Sequence, residues 1–338
     1  MKLRYLSFIT VLLIACNKNN DYEKIADNPY LFSKTVKELN YVVMGNNFTP
    51  IVASRNYLYA SIAAYEVIAA ARPDMYRSLS GQINGFNATV PKPDKNVNHH
   101  FASILAFCRL GESVTFPEGS MKKYVDSVKT LMKNNGMPQS IFNASVKYAE
   151  EVSSIILAWS KKDNYAETRT MPAYTIIDSP GRWVPTPPMY SDAIEPNWNK
   201  IRPVAMDSAN QFVPPPPPAF DVTNKNSVYY KEMMAVKNAG DSLTDEQKHI
   251  ADFWDDLGTR LNVSGHVMFV SKKFSPPGHW MNIVGIAAQK ANADFETTVY
   301  AYAKTAIAIF DAFIQCWDEK YRSNYARPET DINKYVDI

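Results

Sequence analysis

Two cations carry the first chemical signal in this 338-residue chain. Lys320 and Arg327 are separated by six residues, and Arg327 directly precedes Pro328. An ammonium supplies a point charge and a guanidinium a planar fork; both donate charge-assisted hydrogen bonds to oxyanions. The pair continues a helical stripe. Phe295, Val299, Tyr302, Ala306, Phe310, Phe313 and Trp317 recur by three and four, and the next steps land on Lys320, Asn324 and Arg327. A lysine buried alone on an apolar seam is costly, so this face must either emerge into solvent or meet an anion. Lys304, Asp311, Gln315 and Asp318 fall mostly on the other side of the helix.

The remaining chemistry-bearing groups form weaker patterns. Adjacent His99 and His100 point to different faces of a predicted helix, so no metal site is assigned to them. Asp255-Asp256 reads as a solvated helix end. Cys108 and Cys316 lie in apolar helical surroundings, and with no Cys-x-x-Cys pair the chain lacks thiol-redox and zinc-ribbon motifs. Pro276-Pro277-Gly278-His279, Thr259-Arg260 five residues before His266, and Ser264-Gly265-His266 bring histidines near small or basic residues; structural hydrogen bonding or pocket lining is their expected role.

The elements that must position these groups are helical. Charge is nearly balanced, 36 Lys+Arg against 34 Asp+Glu, which lacks the basic excess of a general nucleic-acid binder. Hydrophobic residues at 46% exclude wholesale disorder, while 12 Gly and 22 Pro suit helices joined by rigid irregular segments. Residues 1–15 read as a signal peptide, with Lys2 and Arg4 before an apolar run, and 16–27 as a polar tether. A helical region, 28–170, follows, with helices from Pro50 to about Ala71 and near 97–112, 118–135 and 139–161. Residues 171–225 form a proline- and aromatic-rich crossover holding twelve of the 22 prolines, so neither regular helix nor central strand fits it. Its aromatics predict an ordered segment packed on the helices; a polyproline ligand for a partner is the compositional alternative. A second helical region, 226–338, contains a Thr244/Gln247 capping box opening a helix to about Asp256, another helix from Pro277, and the longest over roughly Asp294 to Arg322. No alternating strand pattern of useful length interrupts the helices up to 161.

Leu13-Ile14-Ala15-Cys16 resembles a bacterial lipobox, which implies cleavage before Cys16 and acylation of its thiol; an ordinary signal peptide is the alternative. The expected location is the bacterial cell envelope, lipid-anchored, on the periplasmic or cell-surface face.

Lys320 with Arg327-Pro328 resembles the first signature of the vanadium-dependent haloperoxidases and the related type 2 phosphatidic acid phosphatase superfamily. Phe310-Asp311-Ala312, Trp317 and Tyr325-Ala326-Arg327-Pro328-Glu329-Thr330 agree. Further upstream, Pro180-Gly181-Arg182-Trp183, Pro185-Thr186-Pro187-Pro188, Pro196-Asn197-Trp198 and Ser275-Pro276-Pro277-Gly278-His279-Trp280 are similar to bacterial lipoprotein members. The resemblance implies an all-α helical bundle with a long ordered crossover, and vanadate as cofactor with phosphate as its isostere. It makes Lys320 and Arg327 the oxyanion ligands and Trp317 a wall of the pocket. Substrates would be halide and peroxide, or a phosphate ester; no nucleic-acid partner is expected, and the membrane is met only through the lipid anchor. The family has two later signatures, Pro-Ser-Gly-His and Ser-Arg followed after five residues by His. The eleven residues after Arg327 contain no Ser, His or Arg. The expectation is therefore a C-terminally incomplete and inactive chain, its catalytic residues unknown, with exposed apolar faces that favour self-association. The other reading is a non-catalytic envelope lipoprotein that uses the scaffold to bind a partner or an oxyanion.

Overall fold

A computed structural model describes residues 21–187, 189–255, 259–264 and 266–337. Its elements are α1 (Asp21–Ala26), α2 (Pro29–Gly45), α3 (Pro50–Ala71), α4 (His99–Ser113), α5 (Lys122–Asn134), α6 (Gln139–Ser160) and α7 (Tyr165–Thr168). After the crossover come α8 (Val228–Asp241), α9 (Asp245–Phe253), β1 (Thr259–Ser264), β2 (Val267–Lys272), α10 (Pro276–Lys290), α11 (Phe295–Ser323) and α12 (Pro328–Tyr335).

The axis of the bundle is α3. Thr49 caps it by accepting from the Val52 N–H, and Pro50 fits the first turn, where its missing donor costs nothing. From Ile51 to Ala69 every residue of α3 is buried, which marks a helix enclosed on all sides rather than one with a wet face. α4, α6 and α11 pack around it, while α10 leans on α2, α3 and α11. Buried charges are answered inside. Arg55 Nε meets Asp163 Oδ2 at 2.7 Å, Tyr59 donates to the same oxygen at 2.8 Å, and the Tyr165 N–H donates to Asp163 Oδ1 at 2.9 Å.

The all-α architecture agrees with the sequence, and the stripe of α11 faces the core from Phe295 to Phe310. Both halves of the Thr244/Gln247 capping box form. Three readings change. The sequence predicts a polar tether to residue 27, but 21–26 are helical: Tyr22 and Ala26 are buried, and the Tyr22 N–H donates to Asn135 O at 3.1 Å. Apolar Tyr22, Ile25 and Ala26, spaced by three and one, give that turn a face to bury. The helix expected to run to Asp256 ends at Phe253, and an antiparallel hairpin pairs Thr259 with Lys272 through Ser264 with Val267. Alternation of Leu261 and Val263 with Arg260, Asn262 and Ser264, followed after Gly265-His266 by the apolar run Val267 to Val270, was the missed signal. Finally, Asp311 and Asp318 are buried rather than on an open face.

That last change explains the crossover. Residues 171–225 contain a single 3-10 turn, Trp198–Lys200, among the described residues, yet the segment is tied down. Asp311 Oδ1 accepts the Val204 N–H at 2.7 Å, and Oδ2 accepts those of Ala205 and Met206 at 2.7 and 3.0 Å. Trp198 is fully buried, 6.1 Å from Phe310 between ring centroids. Burial raises the pKa of Asp311 despite the three donors.

Candidate oxyanion site

The C-terminus of α11 turns sharply at Asn324, a left-handed cap with φ of 47°. Arg327 follows as the residue before α12, with Pro328 in the first helical turn. This places Lys320, on the last turn of α11, and Arg327 on one side of the α11–α12 junction. The crossover closes the other side. Arg182 pairs with Tyr325 as an isolated antiparallel bridge, the Trp183 N–H donates to Asn324 O at 3.3 Å, and the Ala326 N–H donates to Gly181 O at 3.0 Å. Gly181 has φ of 73°, and a Cβ there would sit 2.8 Å from the Phe220 ring, so glycine is required on both counts.

Between these segments lies a cavity of about 400 Å³. Lys320 and Arg327 both line it, as do Tyr174, Trp183, Tyr321 and Asn324. Both cations are solvent-exposed, so the stripe does emerge at its C-terminal end, but it emerges onto a concave wall. Neither cation forms an ion pair among the described residues; Asp192 lies in the lining without reaching either. Crowding by protein, and then the charge of Arg327, pull the Lys320 pKa below its ordinary value.

Three neutral donors point the same way. Trp183 Nε1, Asn324 Nδ2 and the Tyr174 hydroxyl are buried without a hydrogen-bond partner. Native structures rarely leave such atoms unsatisfied, and all three residues line the cavity. Two unpaired cations and three orphaned donors form a set suited to a tetrahedral oxyanion, vanadate or phosphate. Nitrogen ligation is another matter: no histidine lines the cavity among the described residues.

Trp317 stands beneath Lys320 rather than in the lining. Its ring lies 4.5 Å from the ammonium, and its Nε1 donates to Ile194 O at 2.9 Å. Tyr321 donates to the same carbonyl at 2.6 Å, so two α11 side chains hold the crossover rim. Tyr174 and Asn324 were not singled out as ligands by sequence; Trp183 appeared only within Pro180-Gly181-Arg182-Trp183.

The histidine-bearing patterns lie elsewhere. Pro276-Pro277-Gly278-His279 forms the first turn of α10, where Gly278 admits Tyr57 and Asn40: a Cβ would lie 3.1 Å from the tyrosine oxygen. Thr259 and Arg260 are on β1, and His266 is in the hairpin turn. Among the described residues, neither His266 nor Pro276 to His279 lines the cavity. Cys108 and Cys316 are free thiols, buried and exposed respectively. Cys16 and the signal peptide lie outside the described residues. His99 and His100 depart from expectation. In the first turn of α4 their rings lie side by side, centroids 4.2 Å apart, and both reach Glu296 at the start of α11.

No protein-family model and no curated protein matches the chain. Among solved structures it is similar to a crystal structure described as that of the first bacterial vanadium-dependent iodoperoxidase. Identity is 43% over 91% of this chain and 73% of that one, with a TM-score of 0.81. Fold, coverage and identity together place the chain in the vanadium-dependent haloperoxidase family.

Proposed function

We propose that the cavity at the α11–α12 junction binds vanadate, with phosphate as its isostere, in the service of peroxide-dependent halide oxidation, iodide being the first halide to test. The convergence of two unpaired cations and three unsatisfied donors on one cavity carries this reading. Lys320 and Arg327 would hold the oxyanion's oxygens, and Trp317 would support the Lys320 ammonium from below. Bound vanadate supplies the Lewis acidity that activates peroxide. This chain's residues supply charge to bind and orient the oxyanion, and apolar walls that limit water. A histidine donor is not among the cavity's described residues, so these residues account for binding the oxyanion.

The test is calorimetric titration of the full chain with vanadate and with phosphate, beside iodide and bromide oxidation by peroxide with and without vanadate. Lys320→Ala and Arg327→Ala should each weaken anion affinity by roughly 10–100-fold, the worth of one charged hydrogen bond. Unchanged affinity in both variants would refute the assignment. Tight binding without halide oxidation or phosphatase activity would favour the second reading, a non-catalytic envelope protein that binds an oxyanion or a partner. The absence of a histidine from the described lining motivates that reading. For location, we propose a lipid anchor on Cys16, supported by Leu13-Ile14-Ala15-Cys16; fatty-acid labelling lost in Cys16→Ser is the expected result.

A further inference from the structure

We propose that His99, His100 and Glu296 hold one divalent transition-metal ion, zinc being the probe, through two imidazole nitrogens and one carboxylate oxygen. One potential ligand atom from each side chain lies within 4.8 Å of the others. Glu296 Oε1 is 3.5 Å from His99 Nε2 and 3.1 Å from His100 Nε2. Those spacings bracket the roughly 3.3 Å that separates two tetrahedral ligands each bound about 2.0–2.1 Å from zinc.

Orientation gives a second, independent reason. Neither Nε2 has a hydrogen-bond partner, although both are buried and both sit close to a carboxylate. His100 as a residue is only 9% exposed. A histidine–carboxylate network built for its own sake would align at least one N–H on the oxygen. The outer shell fits as well. Asp27 Oδ1 lies 3.2 Å from His100 Nδ1, a carboxylate–imidazole contact of the kind that orients a metal-bound histidine.

One resident cation competes. Arg72 Nη1 is 3.3 Å from Glu296 Oε1. Its side chain is 39% exposed and also lies 3.8 Å from Asp74, which gives it an alternative partner when a metal arrives. The site is separate from the oxyanion cavity, since Glu296 and Lys320 stand about 36 Å apart along α11. Its ligands join the first turns of α4 and α11, and Asp27 brings in the segment leading to α2. The ion would therefore act as a clip on the far end of the bundle.

The experiment uses the full chain, stripped with a chelator and dialysed against zinc, with metal quantified per chain and melting temperature recorded. Wild type should take up one equivalent and melt higher with zinc than without. His99→Ala and the near-isosteric Glu296→Gln should each lose at least about tenfold in affinity, with Asp27→Asn losing a similar amount through the outer shell. Arg72→Gln separates a metal site from a plain ion-pair network: it should strengthen zinc binding, whereas a network would only lose stability. No stoichiometric zinc on wild type, or undiminished binding by Glu296→Gln, would overturn the proposal. So would thiolate charge-transfer bands in the cobalt-loaded protein, which would place the ion on cysteine.

Discussion

Replacing Asp311 by alanine tests how the crossover is held. The carboxylate accepts three backbone N–H groups, from Val204, Ala205 and Met206. Val204 and Met206 are buried, while Ala205 is exposed and its amide can turn to water. Two donors are thus left unsatisfied, each at about 1–3 kcal/mol. Deletion also relieves the burial of a charge, the cause of the raised Asp311 pKa. The net cost is therefore placed at about 3 kcal/mol, toward the lower part of that sum. For a chain of this size the melting temperature should fall by roughly 4–5 °C. Asp311→Asn keeps one acceptor and should fall in between. Thermal melts followed by circular dichroism read the loss of structure, and tryptophan fluorescence follows Trp198 beside the same segment. Phosphate titration of the folded variant then reports on the cavity, whose second wall is the loosened crossover. A melt within about 2 °C of wild type would show that the crossover is held by packing alone and that these three bonds contribute little.

Other perturbations follow from the same geometry. Asp163→Ala leaves Arg55 buried without its partner and should cost about 3–5 kcal/mol in urea unfolding; a loss under about 1 kcal/mol would mean the pair is solvated. Gly181→Ala meets both a positive φ and the Phe220 ring, so it should lower stability by about 1–3 kcal/mol and weaken phosphate binding, because the 181–183 strand wall shifts. Lys320 has a depressed pKa when folded, so the unfolded chain keeps that proton to higher pH and stability should rise as pH climbs toward 10.5. Phosphate binding needs the protonated form and should decline over the same alkaline window in wild type; in Lys320→Arg this decline should vanish, as read by titration between neutral pH and 10.5.

Helix identity and the Lys320/Arg327 pair were legible because each rests on local periodicity. The α11 stripe is written in one continuous stretch, and its departure at Lys320 is visible in the same stretch. What escaped are contacts between distant segments. Asp311 looks like one more polar residue on a helix until Val204, Ala205 and Met206 are brought to it, and backbone donors leave no mark in sequence. Tyr174 and Asn324 become cavity residues only because Arg182 meets Tyr325. Helical geometry argued against cooperation between His99 and His100. That argument holds within a helix interior but fails in a first turn, where both rings can reach Glu296 on another helix. The hairpin's local signal was short: only Leu261 and Val263 alternate with polar residues, and Val267 to Val270 is an apolar run that a buried helix segment could equally show.

The bridge between Arg182 and Tyr325 also bears on the order of events during folding. Arg182 Nη1 reaches Ser323 O across 141 residues of chain. A single contact does not repay the entropy of closing so long a loop, so it forms once Asp311 and Trp198 have fixed the crossover against α11. The cavity wall is therefore among the last features the chain acquires. A partly folded population would retain helix content while lacking the anion pocket, and the recovery of phosphate binding during refolding should lag behind the recovery of helicity.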